Sequence, residues 1–151
     1  MDSKNQLLLL EKAKNTDDNS LLIQIAATFL GEGFYEDAVN VLKKVDESTD
    51  YIFQKNYCMG LLCKAQGNLD DAIKHFGIAL RANPDYSQLY PLTAAACFQN
   101  GMTEEGDKLM IILKGKDHFF FQHVAAIVEA HRTQTVSYTH LRAHETRHDL
   151  V

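Results

Sequence analysis

The 151-residue sequence is poor in several things that would announce a function. It has three cysteines, Cys58, Cys63 and Cys97, an odd number with no CxxC pair. Each falls on a predicted helix, so they read as buried free thiols rather than a disulfide or zinc site, and a reducing compartment, the cytoplasm, is expected. Positive charge is scarce: 15 lysines and arginines face 20 acidic residues, a net charge of −5. That balance excludes the basic face a nucleic-acid binder needs. Near the N-terminus the hydrophobic run is only Leu7 to Leu10, too short for a membrane span or a signal-peptide core. No glycine-rich phosphate loop and no serine-nucleophile signature occur. His75, His118, His123 and His131 are scattered over different predicted helices without carboxylate or thiol partners at ligand spacing, and they read as exposed helix histidines. Paired acids at Asp70-Asp71 and Glu104-Glu105 open predicted helices, where negative charge is favoured, and need no catalytic explanation. The expectation is a protein that is not an enzyme and holds no cofactor and no metal.

What is present is a pattern centred on Asn56 to Pro84. Tyr57, Leu61 and Lys64, with Met59 and Cys63, recur at helical intervals, and Gly67-Asn68 then breaks the run. Ala72, Phe76, Ala79 and Leu80 form a second apolar stripe, and Asn83-Pro84 ends it because the residue before a proline avoids the helical region. The pattern repeats: Gly33, Gly67 and Gly101 are spaced 34 residues apart. Around them Ala26, Ala38, Leu42 and Val45 match Gly60, Ala72, Phe76 and Ala79, and then Ala94, Gly106, Met110 and Leu113. A helical hairpin recurring at this period is one of the periods typical of repeat proteins. The predicted helices run from residue 2 to 14, Leu21 to Leu30, Tyr35 to Val45, Tyr51 to Gln66, Leu69 to Ala82, Tyr86 to Asn100, Thr103 to Leu113 and Phe119 to His131. Asp2-Ser3 supplies plausible caps, and Thr103-Glu104-Glu105 looks like a capped, acidic helix start. Pro91 predicts that the sixth helix begins near it or kinks there, since an interior proline costs about 3 kcal/mol.

Gly60, Gly67, Ala72, Phe76, Ala79 and Pro84 resemble, in order, the signature of the tetratricopeptide repeat, although Asn56 stands where that family usually has tryptophan. The resemblance implies an all-α, right-handed α-solenoid of about three repeats with a leading helix and a truncated fourth repeat. Its segments are an N-terminal helix and link at 1–18, repeats at 19–52, 53–86 and 87–117, and the first helix of a fourth at 118–134. It also implies a concave groove whose inward positions are Ile23, Ala27 and Leu30, then Tyr57, Leu61 and Lys64, then Pro91, Ala95 and Phe98, with Gln54 and Gln88 near the rim. Tyr57 and Phe98 are the expected anchors, because aromatics dominate interface energetics. A mostly apolar groove suits a protein or peptide partner that lays nonpolar side chains into it, and neither nucleic acid nor membrane. Ile23, Ala27, Cys58, Gln88 and Leu92 occupy the places where a carboxylate-binding clamp would need cations or amides, so that specialisation is excluded.

Three further readings stay open. Leu89-Tyr90-Pro91-Leu92-Thr93-Ala94-Ala95-Ala96-Cys97 resembles a third-repeat signature of the type III secretion chaperones that shield translocator proteins. The chain is alternatively a structural spacer within a longer solenoid, or an accessory to a catalytic domain lost after Gln134. The last possibility arises because Val136–Val151, VSYTHLRAHETRHDLV, reads as the in-frame translation of a transposase-type sequencing adapter. Residues 135–151 are therefore read as a tail that is not native, and such scars are excluded from fold reasoning. His140, His144 and His148, spaced like metal ligands on one helix face, then carry no functional meaning. The natural chain is expected to continue past Gln134.

Overall fold

Among the described residues only three have a positive φ: Gly33 at 83°, Gly67 at 80° and Gly101 at 78°. The computed structural model describes residues 1–48 and 50–132. Each glycine ends a helix with the same pair of bonds. Gly33 N–H donates to Leu30 O (3.2 Å) and Phe34 N–H to Phe29 O (2.9 Å). Gly67 and Asn68 donate to Lys64 O and Cys63 O (3.1 and 2.8 Å), and Gly101 and Met102 to Phe98 O and Cys97 O (3.1 and 2.8 Å). This is the Schellman closure, which satisfies two of the orphan carbonyls at a helix end. A side chain at such a position costs about 1–2 kcal/mol, because Cβ crowds the following carbonyl. Glycine there removes that cost.

The turns join helices into hairpins. The elements are α1 (Ser3–Lys14), α2 (Asn19–Glu32), α3 (Tyr35–Leu42), α4 (Ile52–Ala65), α5 (Leu69–Ala82), α6 (Leu89–Gln99) and α7 (Thr103–Lys116). A further helix, α8, covers 118–132 up to the last described residue. No strand occurs among the described residues, so the all-α expectation holds. No described helix is long and apolar enough to cross a membrane. The repeating small and large residues are buried in all three hairpins: Ala26, Ala38, Leu42 and Val45, then Gly60, Ala72, Phe76 and Ala79, then Ala94, Gly106, Met110 and Leu113.

Several helix limits differ from expectation, each for a local reason. The sixth helix begins at Leu89 instead of Tyr86, so Pro91 sits in its first turn, where a missing N–H leaves no bond unmade. Thr103 is the first residue of α7 and not its cap; Met102 precedes it without any side-chain cap bond. The third helix stops at Leu42, three residues early, and Lys44 and Val45 continue as turns that donate to Val41 O and Leu42 O at 3.1 and 3.0 Å. The seventh extends to Lys116, and Lys114 and Lys116 complement the negative end of its dipole.

The chain divides into two compact units, Met1–Pro84 and the part from Asp85 onward. In the first, α2 packs on α3, α5 packs on α4, and α4 lies against both α2 and α3. Leu22, Phe29, Leu42 and Leu62 fill its core with no exposure. The leading helix α1 packs on α2, with Ala13 in the core and Leu9 and Leu10 against it, and polar contacts add to this. Asp2 caps its start by accepting from Asn5 N–H (2.8 Å), and Gln6 Nε2 donates to Asp37 Oδ2 (2.8 Å). Lys44 Nζ closes its C-terminal end on Ala13 O, Lys14 O and Thr16 O at 2.7, 3.2 and 3.1 Å. Leu7 and Leu8 of this helix are exposed. In the second unit α6 packs on α7.

Two glycines of the central hairpin separate backbone strain from packing. A Cβ on Gly67 would touch nothing within 4 Å, whereas one on Gly60 would lie 2.4 Å from the Phe76 ring. Gly67→Ala is expected to lower unfolding free energy by about 1–2 kcal/mol through φ alone. Gly60→Ala is expected to cost about 1–3 kcal/mol by overpacking. Phe76→Leu combined with Gly60→Ala should cost clearly less than the sum of the two single changes in denaturant titrations. Additive costs would mean that the ring and the glycine are not in contact.

Candidate partner-binding face

The expected groove residues of the first unit lie on the first helices of two hairpins, and the 34-residue period pairs Ile23 with Tyr57, Ala27 with Leu61 and Leu30 with Lys64. Ile23, Leu30, Tyr57, Leu61 and Lys64 are half-buried, and Ala27 and Gln54 are exposed. Ile23 and Leu30 rest on the core of the unit. Tyr57 is fixed from two sides: its ring meets Phe53 edge-on at 5.8 Å and Phe76 at 6.4 Å. Contacts of this kind hold an aromatic rigid while part of it stays in solvent. The apolar side chains among these positions are thus half-buried apart from Ala27, with Gln54 exposed beside them and Lys64 in the last turn of α4.

The residues expected in the third hairpin are placed differently. Gln88 is exposed, directly before α6, and Pro91 is half-buried in its first turn. Ala95 and Phe98 are buried, Phe98 to 2% exposure. The expectation that Phe98 anchors a partner is corrected on this point: its ring is enclosed within its own unit. A Cβ on Gly106 of α7 would stand 2.4 Å from that ring, and the Arg132 guanidinium covers it at 5.6 Å. Arg132 is held there by a bidentate pair with Asp107, at 2.7 and 3.2 Å. The signal was present in the sequence. The position of Gly106 is alanine in the other two hairpins, Ala38 and Ala72, and the loss of one methyl makes room for the ring.

Burial pushes the Cys58 and Cys97 thiols up to about 11, with Glu105 adding to the effect at Cys97. Burial, then Asp71, raises Cys63 as well. All three are free and buried, as expected, and protonated thiols are poor nucleophiles and ligands. Among the described residues no three His, Cys, Asp or Glu side chains gather at metal-binding distance. His140, His144 and His148 lie outside the described residues.

His75 departs from the expectation of an exposed helix histidine. It is half-buried, and its Nδ1 lies 2.9 Å from Asn56 Oδ1 on the facing helix. Asn56 Nδ2 donates to Ile52 O (2.9 Å), which turns Oδ1 toward the ring and makes Nδ1–H the donor. Sequence reasoning missed this pair because its two members are 19 residues apart.

Compared with protein-family models, curated proteins and solved structures, the chain finds no match. The functional reading therefore rests on the geometry above.

Burial, more than any other influence, lowers the His75 pKa from 6.5; Lys74 and Lys55 add to this, and Asp71 and Glu47 oppose it. A lowered folded value means that the unfolded chain takes up the proton first, so stability rises with pH through this window. Thermal stability should be unaffected by this group above pH 6.5 and should fall as pH drops below it, through the folded value. His75→Gln should flatten that part of the profile in calorimetry. An unchanged slope would assign the pH dependence to other groups.

Proposed function

We propose that this chain is a non-enzymatic, cytoplasmic protein-interaction module of tetratricopeptide type, in which stacked hairpins present the α2–α4 face to an apolar segment of a partner protein. One observation carries the reading. Three identical left-handed glycine turns fall 34 residues apart, and the small and large residues around them are buried in the same register. Repeats of this kind bury a shared core and leave the first helix of each pair facing a concave surface. Ile23, Leu30, Tyr57 and Leu61 then form the apolar floor, and Ala27 leaves it open between them. A partner presenting apolar side chains at helical or extended spacing, with a carboxylate near Lys64, fits that surface.

Ala27 offers the cleanest test, because it is exposed and a larger side chain there obstructs the face without disturbing the core. Tyr57→Ala is less discriminating, since it also removes the ring that packs on Phe53 and Phe76. The chain should capture a protein client that mass spectrometry identifies and titration confirms as a direct binder. Ala27→Arg should weaken that complex at least about tenfold, or about 1.4 kcal/mol, with an unchanged melting temperature. Equal affinity of the two forms would remove the α2–α4 face from consideration.

A further inference from the structure

The four consecutive leucines of α1 divide between its two sides. Leu9 and Leu10 pack on the core of the first unit, which includes Ala13. Leu7 and Leu8 are 65% and 56% exposed. Helical spacing explains the division. Gln6, Leu9, Leu10 and Ala13 fall at i, i+3, i+4 and i+7 and are half-buried or buried. Lys4, Leu7, Leu8 and Glu11 fall at the same intervals on the opposite side, and all four are exposed. The helix thus carries a second apolar stripe, with a charge at each end. Lys4 stands in the first turn of α1 and Glu11 near its last, where the helix dipole favours the opposite sign in each case. Among the described residues neither makes an ion pair. The order along the stripe, cation, two leucines, anion, is complementary to itself. Turned end for end about a point between Leu7 and Leu8, it sets residue 4 opposite residue 11 and residue 7 opposite residue 8.

We propose that the outward face of α1 is the contact of a weak two-fold dimer, in which the α1 helices of two copies of this chain run antiparallel. Leu7 and Leu8 of one copy cover Leu8 and Leu7 of the other, and two Lys4–Glu11 ion pairs flank them. A two-fold contact needs a surface that matches itself, and here both the leucines and the charges do. A parallel pairing would set Lys4 beside Lys4 and Glu11 beside Glu11, and like charges across a contact repel. An unrelated apolar segment would cover the leucines but leave both charges unanswered. The helix has 12 residues. It is therefore about 18 Å long, and a contact of that length falls below the roughly 1,200 Å2 of stable complexes. The dimer accordingly forms only at high concentration. This contact uses α1 alone and does not depend on the α2–α4 face.

Sedimentation equilibrium of the 151-residue chain, from about 1 µM to about 1 mM, should show a monomer passing into a dimer. Lys4→Glu and Glu11→Lys each set like charges against one another at both ends of the contact, and each should weaken the dimer at least about tenfold. Both changes suit the helix dipole better than the native residue does, so neither should lower the melting temperature. Leu8→Gln should weaken the dimer too, since the side chain it replaces is exposed in the monomer. The decisive arm mixes the two charge variants in equal amounts. The Lys4→Glu chain is acidic at both positions and the Glu11→Lys chain basic at both, so the mixture should dimerise with the affinity of the unaltered chain. A monomer throughout the range would overturn the proposal and leave the face to a different protein. A dimer indifferent to all three changes would overturn it by placing the contact elsewhere, as on α7 and α8, where Ile111, Phe119 and Ile127 are exposed. A mixture that fails to recover would overturn the antiparallel arrangement.

Discussion

Everything in this chain hangs on a backbone constraint met three times: a helix must end, reverse and restart within two or three residues. Only a left-handed residue allows the two closing bonds to form together, and glycine reaches that conformation without steric cost. Once the reversal is that tight, the two helices are antiparallel neighbours, and their contact face is set by a few side chains. The small residues follow from this closeness. Gly60 has no room for a methyl beside Phe76, and Gly106 has none beside Phe98. The same device is used in opposite senses, with the glycine on the first helix of one hairpin and on the second helix of the next. A ring buried against a glycine fixes the spacing of two helices more firmly than a pair of medium-sized residues, because neither partner can change volume without strain.

Polar groups at the helix ends are closed with similar economy. Lys44 places its ammonium on three carbonyls at the end of α1, and Lys55 reaches Val45 O (3.0 Å) beyond α3. Both meet the negative end of a helix dipole and satisfy carbonyls that have no partner within the helix. Asn56 and His75 make the corresponding link between two helices of one hairpin. Among the described residues no buried side-chain polar atom is left without a hydrogen bond. On α2 and α4 the exposed residues include Ser20, Gln24, Thr28, Glu32 and Gln54 beside Ala27, and the apolar side chains Ile23, Leu30, Tyr57 and Leu61 are half-buried among them.

Much of this architecture was legible in the one-dimensional pattern. The three turns, the small-large register and the burial of twelve core positions could be read from periodicity, because hairpins of this kind are built from local contacts. The central helix from Leu69 to Ala82 has the limits its pattern implied, with Asn68 as its cap accepting from Asp71 N–H at 3.2 Å. Of the residues expected in the groove, Ile23, Ala27, Leu30, Tyr57 and Leu61 keep at least part of their surface. Phe98 does not, because whether an inward position faces solvent or a neighbouring helix depends on what stands opposite it.

The sequence by itself thus determined the helical class, the places of reversal and the residues that must be small, since each depends on φ preference and on spacing along one chain. Tertiary structure alone decided that His75 finds Asn56 and that Lys44 seals a helix some 30 residues away. Those outcomes depend on distances between segments, which a periodic pattern does not encode and which only packing in three dimensions sets.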